Sequence, residues 1–148
     1  MSSDASGDHT RIVIPSDPMA VRHALCALFE RLMAGRMSTD ARETAEIVLA
    51  EALNNIVEHA YAHSAGEIEV TVDVSASGLT CKIMDAGVPL PDGALPPASL
   101  PPMQTGDGLP EGGFGWHLIR TLSEDLAYRR EGGRNFLTFR ISAQQYPH

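Results

Sequence analysis

Glu51 and Asn55 stand four residues apart in AEIVLAEALNNIVEHAY, residues 45–61, a run of helix formers in which apolar residues recur at helical spacing. A carboxylate can accept a proton from a hydroxyl or a water, and an amide oxygen can be the single protein ligand of a Mg²⁺ that otherwise keeps waters and phosphate oxygens. At about 100° per residue, Leu49, Ala52, Leu53, Ile56 and Ala60 gather into one stripe, which predicts a buried face. Glu51 and Asn55 project together from another side, between Ile47 and Val48. Apolar neighbours on both flanks of a polar pair predict that it looks into a cleft. A solvated helix face is the competing reading, and this segment alone does not separate the two.

Two other stretches could share that cleft. LTCKIMD alternates apolar and polar residues and ends at Asp85-Ala86-Gly87, so a strand delivers an aspartate to its C-terminal edge. Gly112-Gly113-Phe114-Gly115 opens directly into a helical pattern, GWHLIRTL. Glycines there let backbone amides approach an anion, and the helix dipole favours negative charge, so the pair is a candidate phosphate seat. It is not a Walker loop, because no Gly-Lys-Ser/Thr occurs, nor a Rossmann fingerprint, because a proline-rich loop precedes it where a strand is needed. No Lys or Arg lies between Lys82 and Arg120, so a phosphate bound in that interval must be met by backbone amides and a metal ion.

The elements around these residues read as follows. TRIVIP, residues 10–15, is a short strand ended by proline, Ser16 or Asp17 caps a helix over residues 19–33, and Ser38-Thr39-Asp40 opens the second helix. Glu43 suits a capping box if Thr39 or Asp40 is the cap. EIEVTVDVS gives Ile68, Val70, Val72 and Val74 one face, and Ser77-Gly78 makes a hairpin turn into LTCKIMD. Residues 88–112 are rich in proline and glycine without periodicity, which predicts a long mobile lid. A third helix over residues 113–122, a strand LAYRRE, a Gly132-Gly133 turn and a closing strand NFLTFRIS complete the order βααββ-lid-αββ. This predicts an α+β fold, a two-layer α/β sandwich with a mixed or antiparallel sheet covered by helices on one face. One domain is expected over residues 10–143, with a disordered tail at 1–9 and a short tail at 144–148.

Composition narrows the function. Two cysteines, Cys26 and Cys81, stand far apart in apolar surroundings, so neither a disulfide framework nor a zinc cluster is indicated and a reduced cytoplasm fits. No basic start followed by an apolar run opens the chain, and no stretch of about 18 apolar residues could span a bilayer. A net charge of -8 argues against a nucleic-acid surface but leaves a nucleotide ligand open. His59 and His63, four apart, could be a metal pair, but no third ligand is placed beside them and a helix-end role is favoured.

Taken in order, EALNNIVEHAY, MDAGVPLPD and EGGFGWHLIRTLSEDLAY resemble the three boxes of the GHKL superfamily of ATPases, and within it the small anti-sigma-factor serine kinases of bacterial partner-switching systems. The likeness spans nearly the whole chain. It implies a Bergerat-type ATP-binding fold with ATP and Mg²⁺ as ligands. Asp85 would accept a hydrogen bond from the adenine amino group while Gly87 lets the base come close. Asn55 would hold Mg²⁺, and Gly113 and Gly115 with the amides of Trp116 and His117 would cradle the phosphates. Glu51 would be the base toward a serine or threonine hydroxyl. Implied partners are a STAS-type antagonist protein, which is phosphorylated, and a sigma factor or other regulator, which is sequestered, with Arg22 presented to partners and a homodimer possible. The alternative is an ATP-binding sequestration module without significant kinase activity. Phe114 departs from the pattern, standing where many members have arginine.

Overall fold

The computed structural model describes residues 8–33, 37–96 and 113–143. Within them the chain forms strand β1 (Asp8–Pro15), helices α1 (Pro18–Met33) and α2 (Thr39–Asn55), strands β2 (Glu67–Ser75) and β3 (Gly78–Asp85), helix α3 (Gly113–Leu122), and strands β4 (Glu124–Glu131) and β5 (Arg134–Ser142). The five strands run in the order β1-β2-β3-β5-β4, and every neighbouring pair is antiparallel. Of the two expected sheet types, the antiparallel one is therefore found.

Alternation decides which side of the sheet is covered. Ile68, Val70, Val72 and Val74 of β2, with Leu79, Cys81 and Ile83 of β3 and Leu137, Phe139 and Ile141 of β5, are buried against the helices. Val21, Leu28 and Phe29 from α1, Val48, Leu49 and Leu53 from α2, and Ile119 from α3 complete this core. The residues between them face outward, where Arg11 pairs with Glu69 and His9 with Asp73 across β1 and β2. The result is the expected α+β sandwich, one sheet with helices on one face. Cys81 lies fully inside it, and burial pushes its thiol well above the ordinary range, so the group is inert; Cys81 and the exposed Cys26 are both free.

Local signals place the helix starts, with one correction. Asp17 caps α1 by accepting from the Ala20 amide, as one of the two expected caps. Ser38, in extended backbone, caps α2 by accepting from Ala41, so a capping box built on Thr39 or Asp40 does not form. β1 begins at Asp8, slightly before the expected Thr10, because its pairing with β2 runs on to Val74.

A second correction concerns the far end of α2. The predicted helix continued to residue 61, but α-helical bonding stops at Asn55 and a π-helical turn occupies Ile56–Ala60, closed by the Tyr61 amide on the Ile56 carbonyl at 3.0 Å. The lid also divides. Its first part is ordered on the body, with a 3₁₀ turn at Pro91–Gly93 and Leu90 and Leu95 packed against the core. The remainder of the expected mobile lid, 97–112, lies outside the described residues, as do 1–7 of the expected tail at 1–9 and all of 144–148, whereas Asp8 and His9 belong to β1 rather than to a disordered tail. Gly132 and Gly133 both take positive φ in the β4–β5 turn, a conformation that favours glycine.

Candidate functional site

α2 and the first turn of α3 meet where the chemistry was expected. Glu51 and Asn55 are stacked one turn apart on α2 and both point at Gly115. A methyl group placed on Gly115 would lie 2.7 Å from Glu51 Oε1 and 3.7 Å from both Asn55 side-chain polar atoms. A side chain at 115 would have to push the Glu51 carboxylate aside, while Asn55 would stay in ordinary contact. Asn55 is 9% exposed, and its Nδ2 has no hydrogen-bond partner among the described residues. A buried amide left unpaired costs free energy unless a ligand or a water meets it. Of the flanking residues, Val48 is buried but Ile47 is 44% exposed, so the pair has its apolar wall on one side only.

A small cavity adjoins this pair. Asn55, Ile56, Asp85, Leu90, Trp116 and Tyr128 are among its walls. Trp116 belongs to the core as well.

Asp85 forms the cavity's polar floor and is 4% exposed. Its Oδ1 accepts from the Gly87 amide at 2.8 Å and from Asn135 Nδ2 at 2.8 Å. Burial raises its carboxyl above the ordinary aspartate value, against the opposing pull of the Asn135 and Gly87 hydrogen bonds and the Arg130 charge. Gly87 is needed for a steric reason. A Cβ there would fall 2.3 Å from the Ala60 carbonyl oxygen, and the next amide, Val88, donates to that same oxygen at 2.9 Å. The π turn at the end of α2 thus turns the Ala60 carbonyl toward the segment leaving β3, locking the helix to the strand that carries Asp85. Tyr61 adds a second tie, donating to the Glu67 carbonyl at 2.7 Å and accepting from the Ala86 amide at 2.8 Å.

The structure therefore brings Glu51, Asn55, Asp85, Gly87, Gly115 and Trp116 together. Gly113 begins α3 and His117 lies on its first turns, half-buried. Nothing is described of the Phe114 side chain. Arg22 is exposed and lies elsewhere, in a groove between α1 and α2 walled by Leu25, Cys26, Glu46, Ile47 and Ala50. His59 lines the cavity and approaches Glu58 at 3.9 Å, and no cluster of metal-ligating side chains occurs among the described residues.

Four residues at the site were not anticipated: Tyr61, Tyr128, Arg130 and Asn135. Asn135 was legible in principle, because it is in phase with the inward-facing Leu137, Phe139 and Ile141, and an inward polar residue needs a partner. The others depend on tertiary approach. Arg120 and Arg130 fold back onto the Lys82–Arg120 interval, Arg120 donating to the Pro96 carbonyl at 2.7 Å and Arg130 to the Gly87 carbonyl at 2.6 Å.

Comparison with known proteins identifies the family. The family profile described as histidine kinase-like ATPase domain matches residues 14–141. A serine-protein kinase RsbW of Bacillus mycoides (strain KBAB4) is 32% identical over 101 residues, 66% of this chain and 62% of the relative. The serine-protein kinase RsbW of Bacillus cereus (strain AH820) matches to the same extent. This chain thus covers less than two thirds of the length of these relatives. Among solved structures, the RsbU and RsbW domains of Rv1364c from Mycobacterium tuberculosis align with a TM-score of 0.63 at 17% identity, over 91% of this chain and 32% of that one, a likeness of fold. No helix among the described residues is long and apolar enough to cross a membrane.

Proposed function

The chain belongs to the histidine kinase-like ATPase domain family, and we propose that it is an ATP-dependent protein serine/threonine kinase acting as a partner-switching regulator in the cytoplasm. It would phosphorylate a STAS-type antagonist protein and sequester a sigma factor or other regulator, through the Arg22 groove and as a homodimer. The name serine-protein kinase carried by the relatives supports the transfer reaction. The observation that carries the reading is the convergence of the Glu51 carboxylate and the Asn55 amide on Gly115, beside a cavity floored by Asp85.

Each of these groups has work suited to its place. Asp85 accepts from an exocyclic amino group, which selects adenine, and the ordered Val88–Leu90 segment covers the base. Backbone amides at the start of α3 face the phosphates. The Asn55 side-chain oxygen would be the protein ligand of Mg²⁺ at the phosphates. Mg²⁺ held there would offset phosphate charge. Glu51 takes the proton of the incoming serine or threonine hydroxyl as that oxygen bonds to the γ-phosphorus and the bond from the γ-phosphorus to the bridging oxygen breaks, releasing ADP.

The test is incubation of the chain with Mg²⁺, γ-labelled ATP and the host's small antagonist proteins, for wild type, Glu51→Ala and Asn55→Ala. Label should reach an antagonist with wild type. Asn55→Ala should lose nucleotide affinity, whereas Glu51→Ala should keep affinity and lose about 10²–10⁴-fold in transfer. Wild type that binds ATP and labels no antagonist would replace this proposal with the sequestration module.

A further inference from the structure

Asn135 is the cross-strand partner of Asp85, opposite it in the β3–β5 register, and is 5% exposed. Its carboxamide is saturated. Nδ2 donates to Asp85 Oδ1 at 2.8 Å, to the Val88 carbonyl at 2.9 Å and more weakly to the Gly87 carbonyl at 3.4 Å. Oδ1 accepts from Tyr128 at 2.6 Å and from Arg130 at 3.0 Å. This sets the orientation of the amide, because the reverse would press its NH₂ against a guanidinium that can only donate and its oxygen against a carboxylate and two carbonyls that can only accept. The two holders reach the same segment themselves: Tyr128 accepts from the Leu90 amide at 3.0 Å and Arg130 donates to the Gly87 carbonyl.

Resting on the adenine reading of Asp85, we propose that Asn135, clamped by Tyr128 and Arg130, is a positioning residue for base selection. With Oδ1 of Asp85 engaged by Asn135 and Gly87, Oδ2 is the oxygen left for a donor on the base, and the carboxylate cannot rotate to suit a different edge. The same carboxamide ties the Gly87–Val88 backbone to β5, so the acceptor that reads the base and the segment that covers it are held by one side chain. Inosine triphosphate is the matching probe, because it carries a carbonyl oxygen where ATP carries the amino group and is otherwise nearly the same molecule. A rigid carboxylate repels that oxygen, and a loosened one can turn away.

The experiment measures ATP and inosine triphosphate affinities by calorimetry for wild type, Asn135→Ala and Tyr128→Phe, with thermal melting of each nucleotide-free protein. Wild type should prefer ATP, and both variants should lose most of that preference, by about tenfold, chiefly through weaker ATP binding. Tyr128→Phe keeps the ring and the strand, so it decides the matter should Asn135→Ala not fold. A merely structural role would weaken both nucleotides equally, and an unchanged ratio overturns the proposal while leaving the kinase reading intact. Failure of wild type to bind ATP removes both.

Discussion

Glu51 Oε1 occupies the space that a side chain on Gly115 would need: a Cβ there would lie 2.7 Å from it. The start of α3 and the carboxylate of α2 are therefore fitted to one another through the absence of a single methyl group. Asn55, one turn further along, is in ordinary contact distance of the same position, so the two side chains respond differently to any change at residue 115.

Gly115→Ala separates stability from chemistry. The position is helical, and alanine favours a helix by about 0.5–1 kcal/mol over glycine. The obstructing atom is the tip of a flexible side chain, which can swing aside. The melting temperature should hold or rise, and phosphotransfer should fall at least about 10²-fold as the base is displaced. Full transfer activity in a stable Gly115→Ala protein would remove Glu51 from its role.

Gly87→Ala meets a harder obstacle, since the Ala60 carbonyl oxygen is backbone and stands 2.3 Å from the new Cβ. Relief requires parting the Val88–Ala60 hydrogen bond that joins α2 to the end of β3. A loss of about 1–3 kcal/mol is expected on chemical denaturation, with weaker ATP binding. Wild-type stability would mean that this junction yields more easily than its geometry implies.

Asp85→Asn tests the buried carboxylate. Its folded-state pKa is raised above the ordinary 3.8, so between the two values the folded chain holds a proton that the unfolded chain has released. Stability from this group is therefore present at low pH and declines as pH climbs through that window. Asparagine removes the slope, so Asp85→Asn should equal or exceed wild type in stability at neutral pH and show no advantage in strong acid. It should bind ATP about tenfold or more weakly, because an NH₂ would face the amino group of the base. For wild type, ATP affinity should begin to fall on acidification while still above the ordinary aspartate range. Parallel pH–stability curves for the two proteins would contradict the assigned shift.

Tyr61→Phe deletes one hydroxyl that serves two backbone groups, the Glu67 carbonyl and the Ala86 amide. With the amide left unpaired, about 1–3 kcal/mol of stability should be lost, and hydrogen exchange at Ala86 should accelerate. Unchanged protection at Ala86 would show that the amide finds another acceptor.

Period and turn chemistry determined much of this protein from the sequence alone. Alternation in EIEVTVDVS and LTCKIMD marked the inward faces of β2 and β3, because a strand sends successive side chains to opposite sides whatever it pairs with. The four-residue spacing of Glu51 and Asn55 likewise guaranteed a shared helix face, and Asp85 had to arrive at a strand end. What only the tertiary structure decided was everything that depends on two distant segments meeting. The π turn that stops α2 forms where Ala60 must offer its carbonyl to Val88, and no local propensity announces that bond. Asp85 and Asn135 are fifty residues apart and become neighbours only through the β3–β5 register, which then recruits Tyr128 and Arg130 from β4. Local sequence sets which way a side chain points along its own element; which atom it meets is set by how the elements pack.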